Sequence, residues 1–310
     1  MSYLDGIFAA NMAGFTQDYF IPYLLLLQAN SRHIGILNSL PNLFASLIQL
    51  TSADLTRRFN SRKRVITLFV FLQALTLFLM AGLAFTGDKN PWPFIILAVL
   101  FAGFGALANP AWGSLMSDLV PAEKRGEYFG WRNRNLGLVI VCSTFLAGAL
   151  LQGMQRINIF YGFVLLFGTA FLSRMISWYF LCRMEEPALV VKKEDDFTFF
   201  EFLKRLKHSN FAQFALFVSL MSFSVNLASP FFAVFMLKDL KFSYTLFTTI
   251  NVVSTFTIYT TMSRWGRHAD KIGNLKIVKL TAPLIGIIPL LWVINHHPLF
   301  LLAIQVFAGF

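Results

Sequence analysis

Phe101-Ala102-Gly103-Phe104, inside an apolar stretch that begins at Leu97-Ala98, returns as Phe307-Ala308-Gly309-Phe310 behind Leu302-Ala303-Ile304. Two other landmarks recur in the same order: a proline within an early apolar run (Pro22, Pro230) and a basic knot between runs (Arg57 to Arg64, Arg264 to Lys279). Self-similarity at a long period implies one architectural unit written twice. The expectation is a duplicated set of hydrophobic spans, with the sequence stopping partway through the second copy.

Of the 310 residues 56% are hydrophobic and 13% charged, whereas soluble domains carry about 25% charged residues. Such a chain belongs in a lipid bilayer. The formal net charge of +11 is no sign of nucleic-acid binding, because Lys and Arg fall in short clusters between apolar runs rather than along one soluble face. Cys142 and Cys182 lie on separate apolar segments without metal-ligand spacing and read as packing thiols. The start of the chain has no basic region, short apolar core and small-residue cleavage site, so the first span is expected to be retained. His33, His208, His268, His296 and His297 are scattered over connections with no nucleophile or ligand at useful spacing. No P-loop pattern occurs, which argues against ATP-driven chemistry. An enzyme is not expected, nor a cofactor or metal.

Spanning hydrocarbon takes about 20 mostly apolar residues, because every backbone amide must be satisfied within its own segment. That test places nine full spans and one clipped span near 7–29, 34–56, 63–85, 93–116, 131–153, 157–181, 211–237, 243–264, 276–294 and 298–310. Connections after the even-numbered spans hold most of the charge; the others hold little. By the positive-inside rule the charged set and the N-terminus are cytoplasmic. The longest connection, 183–210, mixes Glu185, Glu186, Glu194, Asp195 and Asp196 with Lys192 and Lys193. Within it Thr198-Phe-Phe-Glu201 has capping-box spacing, and Phe199, Phe202, Leu203 and Leu206 share one side of a helix. An interfacial strap is expected there. The division is then residues 1–182 as a six-helix bundle, 183–210 as a cytoplasmic linker with an amphipathic helix, and 211–310 as a partial second bundle of spans seven to nine and the start of ten.

The connection after the eighth span reads Gly266-Arg-His-Ala-Asp270-Lys271-Ile-Gly273-Asn-Leu-Lys276, the pattern G-x-x-x-D-[RK]-x-G followed by a basic residue. It resembles the signature loop of the major facilitator superfamily. In the first half, Leu55-Thr-Arg57-Arg58-Phe-Asn60-Ser-Arg62-Lys63-Arg64 resembles the same element, with Arg57 where the Asp would align and Asn60 where the second Gly would. Asp118-Leu-Val-Pro121-Ala-Glu-Lys-Arg125-Gly126-Glu-Tyr-Phe-Gly130-Trp-Arg132 is similar to the connection between the fourth and fifth spans of many bacterial members. The antiporter signature of the fifth span is absent, since Gly137, Gly148 and Gly153 have no Gly-Pro partner. The resemblance implies an all-α integral membrane fold of two six-helix bundles related by pseudo-two-fold symmetry, with the second incomplete. It also implies a cytoplasmic gate or latch made by Arg58, Arg62, Asp118, Arg125, Gly126, Arg132, Gly266, Asp270, Lys271 and Gly273.

Polar residues inside the spans form stripes at helical spacing: Asn38, Asn42, Ser46 and Gln49 in the second, Ser219, Ser222, Asn226 and Ser229 in the seventh, Thr248, Asn251, Thr255 and Tyr259 in the eighth. Each stripe faces either protein or a water-filled cavity. The third and ninth spans are nearly free of such residues and are expected to face lipid. Asp18 falls near the middle of the first span, where a carboxylate costs about 2.5–3.5 kcal/mol; it is either a coupling or substrate residue or a hydrogen-bonded structural acid. Arg174 in the sixth span reads as an interfacial anchor. Asn109, Pro110 and Trp112 form a kink suited to a gate. The expected cavity set is Asp18, Asn38, Asn42, Gln49, Asn109, Trp112, Asn226 and Asn251. The implied function is secondary transport of a small solute by alternating access, with proton coupling left open, in a bacterial inner (plasma) membrane. A transporter-like receptor signalling through 183–210 is the alternative.

Overall fold

The computed structural model describes residues 1–121, 125–187, 210–272 and 274–310, with side chains described except at 125–127, 210–212, 262–263, 266–272 and 274–275. Among the described residues every regular element is a helix. The linker reading, with its Thr198–Glu201 cap, lies outside them.

The first span is not one helix. α1 (Ser2–Gly14) ends in a run of turns, and α2 (Phe20–Leu26) resumes beyond Tyr19. Pro22 explains the break: it has no amide to donate, and its ring collides with the carbonyl four residues back. It is tolerated as the third residue of α2, where the amide has no intrahelical partner in any case. The Thr16 hydroxyl donates back to the Met12 carbonyl at 2.9 Å, closing α1 locally. The second span is bent by 46° between α3 (Ser31–Gln49) and α4 (Ser52–Phe59). α4 stops at Asn60, which takes the left-handed conformation, φ 48°. Asn is the side chain best able to do there what glycine would.

α5 (Arg62–Thr86), α6 (Pro91–Leu119), α7 (Arg125–Met154) and α8 (Ile159–Cys182) follow. The later part holds α9 (Asn210–Val234), a π-helical turn (Phe235–Asp239), α10 (Tyr244–Ile272), α11 (Asn274–Ile294) and α12 (Pro298–Gly309). Six of these helices are long and apolar enough to cross a bilayer, or seven if the bent pair counts as one, against the nine full spans expected. The first span drops out because it is broken. α10 drops out because its Thr, Ser, Asn and Tyr residues make it too polar, a composition tolerable only against other protein or water.

The helices run between a basic end, where α4 meets α5 and α10 meets α11, and an opposite end. α5 lies along α6 and α8, α3 along α6, and α1 between α7 and α8. One side of α5 leaves Leu68, Phe71, Leu75, Phe78 and Phe85 exposed at helical spacing, the side a bilayer covers; the other buries Gln73 and Thr76. α2 is clamped by aromatic rings, with Tyr23 at 4.7 Å from Phe94 and 5.4 Å from Phe167.

The repeated tetrapeptide does the same job twice. A Cβ at Gly103 of α6 would run into the Phe44 ring of α3, and one at Gly309 of α12 would run into the Ser254 carbonyl and Thr257 of α10. In each half the fourth span meets the second through the missing side chain of one glycine. A second glycine pair joins the halves. Gly148 of α7 packs on Thr248 of α10, and Gly137 on the Tyr259 ring, the two contacts being equally spaced on two antiparallel helices. About 3.6 residues per turn brings both glycines to one face of α7.

Candidate functional site

Near the opposite end the two halves are tied together by hydrogen bonds. The Tyr19 hydroxyl, fully buried, donates to the Thr144 carbonyl of α7 and lies 2.9 Å from the Thr248 hydroxyl of α10. Because the carbonyl can only accept, the Thr248 hydroxyl is the donor in the second bond. Asn38 Nδ2 of α3 donates to the Asn226 carbonyl of α9 at 2.6 Å, and Phe163 meets Tyr244 edge-on. Toward the basic end the polar stripes no longer meet: Asn42, Ser46 and Gln49 of α3 and Ser219 and Ser222 of α9 are exposed. Asn42 Nδ2 donates to the Asn38 carbonyl and Asn226 Nδ2 to the Ser222 carbonyl, each within its own helix. Asn251 is half-buried on α10. Asp18 is exposed in the break between α1 and α2 rather than inside a helix, next to Tyr19.

At the basic end Arg62 is almost fully buried, although it begins α5. Its NH1 donates to Asp118 Oδ2 and to Ser114 Oγ at 3.2 Å, and its NH2 to the Pro187 carbonyl at 3.2 Å. Glu186, beyond α8, accepts from the Arg62 amide at 2.6 Å, the Lys63 amide at 3.2 Å and the Ser61 hydroxyl at 2.6 Å. A carboxylate on the free amides of a helix N-terminus is favoured by both hydrogen bonding and the helix dipole. Burial pushes the Glu186 carboxyl up, but the Ser61 hydroxyl, the Lys63 and Arg62 amides and the Arg62 guanidinium outweigh it and hold it below the usual carboxylate range.

The residues expected to form one latch are therefore distributed. Arg62 and Asp118 meet, and Arg58 is exposed on α4. Arg125 and Gly126 begin α7, with side chains outside the described set. Gly266, Asp270 and Lys271 lie in a helix and not in a loop: α10 runs on to Ile272, and α11 starts at Asn274. No proline interrupts that stretch, and its basic residues suit a helix C-terminus. Gly273 and the side chains of the motif lie outside the described residues.

Arg132 and Arg174 go elsewhere. In the basic half of the first bundle a cavity of about 500 Å³ is lined by Asp5, Asn109, Trp112, Arg132, Arg174 and, across the interface, Tyr259 among others. Asp5, Arg132 and Arg174 are buried. Arg174 is no interfacial anchor: its Nε donates to Gln73 Oε1 at 2.9 Å and its NH1 to Ser177 Oγ at 3.2 Å, while Ser177 donates to Asp5 Oδ1 at 2.6 Å. Gln73 sits in the third span, which was expected to be nearly free of polar residues, and its Nε2 donates to the Phe101 carbonyl at 3.1 Å. The Arg132 guanidinium lies 4.6 Å over the Trp112 ring and 3.9 Å from Asp5 Oδ2. Asp5 escaped the sequence reading because the apolar run begins at residue 7. Its partners come from helices far along the chain, and the usable signal was a lone charge in each of two otherwise apolar helices, Asp5 in α1 and Arg174 in α8.

A bundle of helices long and apolar enough to cross a bilayer, with charged groups held inside, defines a polytopic membrane fold. The family description Major Facilitator Superfamily matches residues 6–310, and the chain belongs to that superfamily. Among curated proteins no sequence matches it. Solved structures share the fold at low identity. The crystal structure of the nucleoside transporter NupG (D323A mutant) has 13% identity and a TM-score of 0.72, over 99% of this chain and 78% of that one. A bacterial homolog to the human lysosomal transporter Spinster, in an inward-facing and unoccupied conformation, has 17% identity and a TM-score of 0.63, over 99% and 71%.

Proposed function

We propose that this protein is a secondary transporter that moves a small solute by alternating access between its two halves. The observation that carries the reading is the one-sided closure. Tyr19–Thr248 and Asn38–Asn226 tie the halves near one end, while the side-chain amides of Asn42 and Asn226 turn back onto their own helices. With the basic connections in the cytoplasm, this is an inward-open state, and the N-terminus is cytoplasmic. Arg62, Asp118 and Glu186 hold the first bundle rigid at the gate, and Asp18, exposed in the α1/α2 break, is the proposed proton-coupling group.

Spin labels at Asn38 and Asn226, and separately at Gln49 and Ser219, test this in the protein reconstituted in a bilayer. Two populations are expected: in the second, the 38–226 distance lengthens while 49–219 shortens. A single fixed distance in both pairs overturns alternating access. In the same measurement, the wild-type populations should shift with pH and those of Asp18→Asn should not. Equal pH response in both makes Asp18 structural.

A further inference from the structure

We propose that the cavity between α1, α5, α6, α7 and α8 is an oxyanion site, and hence that the transported solute carries a carboxylate or a phosphate. This rests on the transporter reading above and adds the substrate class to it.

Charge is the first argument. Among the described residues that line the cavity, Asp5 is the only acid, and it faces two guanidinium groups, Arg132 and Arg174. One positive charge is left over in a buried, low-dielectric place, where an unpaired ion is costly and an anion is the natural remedy. Donor count is the second. A guanidinium has five N–H donors. Arg174 uses two, to Gln73 and Ser177; Arg132 uses two, both in long bonds to the Ser2 carbonyl at 3.4 and 3.3 Å. Trp112 Nε1 is buried and makes no hydrogen bond of normal geometry, its side chain lying beside the Asp5 carboxylate. An indole N–H has no lone pair to offer, so only an acceptor can satisfy it.

Position is the third. The Arg132 guanidinium carbon lies 4.6 Å over the Trp112 ring, and a guanidinium so held is suited to bidentate contact with an oxyanion. Gly6 lets that guanidinium approach the α1 backbone, where a Cβ would strike Arg132 NH2. The volume, about 500 Å³, is that of a small-molecule site, about 300–1,000 Å³. Tyr259, from the second half, closes one side, so a ligand seated there touches both halves and can bias their relative position. A self-contained ion cluster would be balanced in charge and saturated in hydrogen bonds, and this one is neither. A neutral polar solute would satisfy Trp112 and leave the extra charge.

The test is calorimetric titration of the purified protein with succinate, with inorganic phosphate and with uridine as the neutral control, at constant ionic strength in chloride. Saturable binding of succinate or phosphate is expected, uridine giving none, and the preferred anion assigns the carboxylate or the phosphate. Arg132→Gln should weaken that binding at least about tenfold, and Trp112→Phe, which keeps the ring and removes the N–H, several-fold. Should Arg132→Gln not fold, Trp112→Phe carries the comparison alone. Absence of anion binding, equal binding of uridine, or wild-type affinity in Trp112→Phe overturns the site. Because this is equilibrium binding, it fails independently of the two-population distance measurement.

Discussion

Glu186 shows how one carboxylate at a helix N-terminus can fasten the end of one helix to the start of another, here α8 to α5. Its depressed pKa means that the folded state prefers the charged form. The resulting stabilisation is complete above the ordinary carboxyl value of 4.5 and fades as pH falls through the lower folded-state value. Glu186→Gln keeps the shape, loses the charge, and is expected to cost about 1.5–3 kcal/mol at neutral pH, the range of hydrogen bonds to charged groups. Melting of both proteins against pH checks this: the gap should close below pH 4.5, and a gap constant down to strong acid would remove the charge from the explanation. Little of this was legible in the sequence. Glu186 stood in a mixed-charge linker with no hint of a partner, whereas Arg62 and Asp118 could be read because each lies in a recognisable connection. Asp5 and Arg174 were opaque for a related reason. Local windows measure apolarity along the chain, and the partners that make those charges tolerable come from other helices.

Helices defined by unbroken apolar runs were readable to within a few residues: α5, α6 and α8 span 62–86, 91–119 and 159–182 against expectations of 63–85, 93–116 and 157–181. The broken first span was not, because a proline in a first turn and one inside a helix look alike in sequence. The α7/α10 contact could not be read at all, since Gly137 and Gly148 matched no motif. Its role is nevertheless testable. Gly148→Leu must displace Thr248, and with it the Tyr19 bond. Overpacking of this kind costs about 1–3 kcal/mol. Thermal unfolding should register the loss, and disulfide cross-linking of cysteines at 38 and 226 should slow as the tie loosens. Gly153→Ala on the same helix, where a Cβ meets open space, should leave both unchanged. Equal effects from the two substitutions would mean that the helix, and not the contact, is sensitive.

For the whole molecule, the proposed orientation rests on where the bases lie. Cysteines at Ser61 and at Lys89 terminate connections on opposite ends of α5, so an impermeant maleimide should label the first only from the cytoplasmic face and the second only from outside, in a background with Cys142 and Cys182 replaced. Labelling of Ser61→Cys from outside would invert the molecule and move the open end of the cavity to the other face. The division of the first span has a mechanical meaning in either orientation. A continuous rod of that length pivots as one piece, so any swing at its basic end is matched by a swing at the other. With the hydrogen-bond ladder interrupted ahead of Pro22, α1 and α2 are two short levers on a shared joint. α2 is clamped by Phe94 of α6 and by Phe163 and Phe167 of α8, and α1 packs on α7 and α8, so both levers are seated on the same bundle and differ in the angle they take on it. Tyr19 stands at the joint itself, so any change in the angle between the two levers reaches the tie to Thr248 directly.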